Sequence, residues 1–222
     1  MKTPFLKLLV ITLLIAFTSC NQKEKVVLSE YKYDEKGIVL NCDKFDLKLL
    51  NEALFSFEND IINAYAQDKK NLVQAYSKFT RNAVSGRAKY EEIVSLHTLA
   101  VFEVLKSKSD LWDLNNPNTK FNYNSPLFKC ISDNIKSKDL KTTLNALIST
   151  NSMNIKLFGP ALTSNYSLAV SDKYLSAYMA FDLFYAKLFD IDVNKVVKKE
   201  NKVDFNKVPP TLPADPHAGH NH

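Results

Sequence analysis

The residues best equipped for chemistry stand at the end of the chain. Asp215-Pro216-His217-Ala218-Gly219-His220-Asn221-His222 holds three of the four histidines beside a carboxylate. Neutral imidazole is a good ligand for Cu²⁺, Ni²⁺ and Zn²⁺, and Ala218-Gly219 lets the chain fold back around one ion. The spacing matches no structural zinc motif. The expectation is that His217, His220 and His222 bind a divalent transition metal, which the fold itself does not require. The alternative is a solvated tail with incidental metal affinity. His97 is the remaining histidine and sits among Leu96, Thr98, Leu99 and Ala100. It reads as a packed or hydrogen-bonded residue, because no E-x-x-H surrounds it and H-E-x-x-H is absent.

Other reactive groups are sparse. Glu58 and Asp60, and Glu91 and Glu92, offer carboxylates on helical segments. A catalytic pair needs environments that separate two pKa values, and these pairs read as solvated faces. Cys42 and Cys130 lack C-x-x-C spacing, which excludes a thioredoxin-type site. They are either a disulfide, as an oxidising compartment permits, or two buried free thiols. The glycines Gly37, Gly86, Gly159 and Gly219 are too scattered for a phosphate loop or G-x-G-x-x-G turn. No G-x-S-x-G occurs. With every familiar catalytic motif missing, a binding or accessory module is favoured over an enzyme.

The beginning of the chain carries an address. Lys2 and Lys7 form a positive region ahead of an apolar run at 8–17, too short to cross roughly 30 Å of hydrocarbon but ordered like a secretory signal. It closes on Phe17-Thr18-Ser19-Cys20. This resembles the lipobox of bacterial lipoproteins, with Phe17 where leucine is commoner. The resemblance implies a signal peptide at 1–19, diacylglyceryl transfer to the Cys20 thiol, and acylation of the new amino terminus. Each buried methylene contributes about 0.8 kcal/mol, and several chains anchor stably where one does not. The implied place is the bacterial cell envelope, with the outer membrane as the expected site.

The elements that must position these groups are mostly helical. Residues 20–40 form a polar tether in which two β-prone runs flank Asp34-Glu35-Lys36-Gly37, the pattern of a short hairpin. From Asp43, Leu47, Leu50, Leu54, Phe57, Ile61 and Ala64 recur at helical spacing. Further helices are expected from Asp68 to about Gly86, from 89 to 106, from Ser125-Pro126 to 135, and from 137 or 139 to 148. A last helix covers 172–189, and its aromatic residues go most of the way around, as in a central helix, the alternative being an aromatic-lined cleft or partner groove. Residues 115–124 read as a loop, and 150–165 as an irregular stretch broken by Gly159-Pro160. The whole predicts an all-α bundle of five to seven helices over 41–192, followed by a flexible Lys/Pro/His tail at 193–222.

The bulk properties agree with a folded body. The 222 residues are 45% hydrophobic and 24% charged, near the averages for globular proteins. The net charge of +5 rests almost wholly on lysine, with Arg81 and Arg87 the only arginines. Lysines interspersed with acids lack the arginine forks and basic aromatic face of a nucleic-acid binder. Membrane, through the lipid, and an envelope protein are therefore the expected partners.

Overall fold

The structure, a computed structural model, describes residues 26–200. Among these residues it is a helical bundle without a sheet. The helices are α1 (Leu47–Tyr65), α2 (Leu72–Val84), α3 (Tyr90–Ile93), α4 (Leu96–Lys106), α5 (Pro126–Asn134), α6 (Lys138–Ser149), α7 (Ile155–Asn165), α8 (Lys173–Tyr178) and α9 (Val193–Glu200). Strand-like pairing is limited to one antiparallel bridge between Trp112 and Phe121, which closes the loop ahead of α5.

Short polar side chains start most of these helices. Such a residue gives the first turn an acceptor for an N–H that has no intrahelical partner. Asp46 accepts from Leu49 N, Asn71 from Gln74 N, Ser95 from Thr98 N, Ser125 from Phe128 N, and Ser137 from Leu140 N. Pro126 occupies the first turn of α5, where its missing N–H costs nothing.

The helices outnumber the five to seven expected, for local reasons. The helix expected over 89–106 is cut at Val94, whose extended backbone ends α3, and Ser95 then caps α4. The stretch 150–165 is irregular only as far as Asn154, since α7 then runs through Gly159 and Pro160. A Cβ at Gly159 would lie 2.5 Å from Val84 Cγ1, so this glycine permits close approach of α7 to α2. The start of α2 also shifts, since Asn71 rather than Asp68 caps it, and Asp172 caps α8.

Two helical runs form the centre. In α1 every residue from Leu49 to Glu58 is buried, together with Asp60 and Ile61. It packs on α2, α3, α4 and the chain beyond α8. That second run begins with α8, continues as a π-helical segment at Met179–Phe184, and ends in 3-10 turns at Tyr185–Asp190. Its Tyr178, Phe181, Phe184 and Tyr185 are fully buried. Phe57, Phe79 and Phe184 meet with centroids 5.0 to 6.1 Å apart. Tyr185 pins the two runs together by donating to Ala53 O at 2.9 Å.

The expected hairpin at 26–40 is replaced by an extended segment with a 3-10 turn at Asp34–Lys36. Its backbone donors go to side chains of α1 instead of to a partner strand. Glu52 accepts from Lys32 N and Tyr33 N at 2.7 and 3.0 Å. Asn51 Oδ1 accepts from Val39 N and Leu40 N at 2.7 and 3.1 Å. Leu28, Leu40 and Cys42 join the core from this side. A disulfide between Cys42 and Cys130, with Cα atoms 5.8 Å apart, ties the segment to α5. At the other end, the chain after Asp192 forms α9, and Val196 is fully buried. The rest of the tail, 201–222, lies outside the described residues.

Candidate functional site

The π-helical segment carries an acid into an apolar setting. It reads Met179-Ala180-Phe181-Asp182-Leu183-Phe184, all buried. Single π turns inside α-helices are rare and often mark functional sites. The Asp182 side chain is held by three hydroxyls, two from the loop ahead of α5 and one from α8. Thr119 Oγ1 and Tyr123 OH donate to Oδ1 at 2.6 and 3.0 Å, and Tyr178 OH donates to Oδ2 at 2.7 Å. Burial pushes the Asp182 carboxyl above its ordinary value, while the hydroxyls and the Lys187 ammonium pull the other way. Burial, and then the Asp182 charge, drive Tyr123 and Tyr178 upward. Both phenols therefore remain donors across the physiological range.

Asp182 lines a cleft of about 430 Å³. Tyr90 and Tyr123 supply aromatic walls, with Tyr90 OH fixed on Leu183 O at 2.8 Å. Asn154, Ile155 and Lys156, at the start of α7, and Ser85 and Gly86, after α2, line the cleft as well. Gly86 has φ of 69°, a left-handed conformation that glycine adopts without strain. Lys187, half-buried, completes the cleft.

Three further buried acids act as clamps. Glu52 is 2% exposed and meets His97 Nε2 at 2.6 Å, besides the two backbone donors already described. Glu58 accepts from Tyr76 OH at 3.0 Å, Lys173 Nζ at 2.6 Å and Ser176 Oγ at 3.3 Å, and Tyr76 also bonds Ser176. Asp60 accepts from Ser95 N at 3.0 Å. Tyr33, beside the first of these clamps, is pushed up to about 12 by burial and then by the charges of Asp60 and Glu52. Each acid fixes a neighbouring element to α1, and each is satisfied by groups of the chain itself.

The sequence-derived candidates fare differently. His97 is engaged with Glu52, a residue the sequence reading did not single out. Glu58 and Asp60 are not on a solvated face, since they are 5% and 1% exposed. Glu92 is exposed and Glu91 half-buried. Cys42 and Cys130 are joined. Cys20, His217, His220 and His222 lie outside the described residues, and among the described residues no cluster of three His, Cys, Asp or Glu could hold a metal. Asp182 was missed altogether; its one signal is an acid inside an otherwise apolar hexad. No helix among the described residues is long and apolar enough to cross a membrane. Comparison with protein-family models, curated proteins and solved structures finds no match.

Proposed function

We propose that this is a lipid-anchored cell-envelope protein whose helical body is a binding domain. The observation that carries the reading is the Asp182 cleft, a preformed concave site with convergent polar groups in an apolar setting. Neither histidine nor cysteine lines it, which favours binding over nucleophilic or acid–base catalysis. The anchor rests on Phe17-Thr18-Ser19-Cys20, and the Cys42–Cys130 bridge suits an oxidising compartment outside the cytosol. The test is labelling of cells with radioactive palmitate, followed by membrane fractionation. The wild type is expected to carry label and sediment with membranes, and Cys20→Ala to lose both properties. An unlabelled wild type, or full membrane retention of Cys20→Ala, refutes the anchor. Cross-linking in cells then tests for an envelope protein held by the body.

A second reading is transition-metal binding or delivery by the tail, and the clustering of His217, His220 and His222 favours it. Calorimetric titration of the full chain with Cu²⁺, Zn²⁺ and Ni²⁺ is its test. One ion per chain is expected, with affinity falling at least about tenfold (about 1.4 kcal/mol) when the three histidines become alanine. Equal binding by that variant removes the tail from the site.

A further inference from the structure

The Asp182 cleft collects opposite charges: the Lys187 ammonium acts on the Asp182 carboxyl through space, but the two form no salt bridge among the described residues. A buried carboxylate is normally compensated by a cation or metal. Here its donors are three neutral hydroxyls, and an ionised carboxylate has about four acceptor positions, so one remains. Lys187, half-buried, and Lys156, exposed, are two lysines among the residues that line the same cleft. Neither makes an ion pair among the described residues. The first turn of α7 and the end of α2 both border the cleft. Their backbone dipoles present partial positive and partial negative charge respectively. The site is therefore polarised, with an acid in its wall and cations around it.

A simple anion would be opposed by Asp182, and a simple cation by the two lysines. A molecule bearing both charges answers both ends. Tyr90 and Tyr123 are aromatic residues of the lining, and an aromatic ring offers apolar contact and attraction for an ammonium group. The volume of about 430 Å³ is at the small end of ligand pockets.

We propose that the cleft binds a small zwitterion of the amino-acid or dipeptide class, its ammonium directed to Asp182 and its carboxylate to Lys187 and Lys156. This rests on the reading of the helical body as a binding domain. The experiment is calorimetric titration of the full chain in detergent with glycylglycine and L-leucine, beside n-butylamine and butyrate as single-charge controls. Saturable binding of at least one zwitterion is expected, with each control at least about tenfold weaker. Lys187→Ala and Asp182→Asn are each expected to weaken the zwitterion about tenfold or more. Lys187 is half-buried and without an ion pair among the described residues, so its alanine variant keeps the test open should Asp182→Asn misfold. The proposal is overturned if neither zwitterion binds, if butylamine or butyrate binds as tightly, or if the folded variants bind unchanged. An envelope protein captured by cross-linking, with no small probe bound, would sink the zwitterion and leave the binding-domain reading standing.

Discussion

Asp182 couples folding to pH, and the sign follows from burial. Its folded carboxyl sits above the ordinary value of 3.8, with burial the largest cause. Below that ordinary value the group is protonated in both folded and unfolded chains and contributes no pH dependence. As pH rises, the unfolded chain loses its proton first, so stability falls until the folded carboxyl has ionised too. An amide at this position stays neutral, and its oxygen can still accept from Thr119 and Tyr123. Tyr178 OH can turn to accept from the amide nitrogen. Asp182→Asn is therefore expected to be at least as stable as the wild type at pH 8, and its advantage should shrink as pH falls toward 4. Urea unfolding of both proteins across that range checks it. An advantage that grows toward acid pH would mean that the hydroxyls, not burial, dominate the carboxyl. A stability cost of Asp182 at neutral pH would agree with the proposed binding role, because stability and function commonly trade off at functional sites.

Elements were legible where local chemistry sets them. Ser125-Pro126 begins α5, and the apolar spacing of α1 survives as its inner stripe. What escaped depends on partners distant in sequence. The runs around Asp34–Lys36 read as a hairpin, because the side chains that take their N–H groups, Asn51 and Glu52, belong to α1. The same wrapping buries the polar face of α1, which a periodicity argument assigns to water. Asp182 escaped because the π turn that positions it has no sequence signature here. Gly159-Pro160 reads as a break because its role is packing, with α7 lying directly on Val84 of α2. Gly159→Ala tests that account. Alanine favours a helix by about 1 kcal/mol over glycine, but overpacking typically costs about 1–3 kcal/mol, and a stiff β-branched Val84 gives way poorly. A net loss of about 1 kcal/mol is expected. In a Val84→Ala background the clash is gone, and the same change should stabilise by about 0.5 kcal/mol. Thermal unfolding of the double-mutant cycle reads the coupling; additive effects would refute close contact as the reason for the glycine. Val84 also lines the Asp182 cleft, so the contact that hid α7 from the sequence helps shape the site.

At the scale of the molecule, one covalent link governs how the parts hold together. The Cys42–Cys130 bridge joins positions 88 residues apart, enclosing α1 to α4 and running from the N-terminal segment to α5. In the chain-entropy account a loop of that size removes about 4.6 kcal/mol of freedom from the unfolded chain. The N-terminal segment otherwise rests on side-chain clips from α1 and on the burial of Leu28 and Leu40, so the bridge also protects the attachment nearest the tether. If an acylated Cys20 holds the protein at a membrane, any pull on the tether reaches the body through this segment, and the bridge passes the load to α5. Reduction, or the double variant Cys42→Ala/Cys130→Ala, is expected to lower the melting temperature by roughly 10 °C. Protease cleavage within 30–45 should rise before the remainder of the body opens. Calorimetric melting with and without reductant, paired with mass spectrometry of early fragments, makes both measurements. An unchanged melting temperature would show that α1 and the π-containing run hold the body together without the bridge. Early cleavage confined to 30–45 would then assign the bridge to the tether's attachment alone, whereas loss of both would make it a staple of the whole fold.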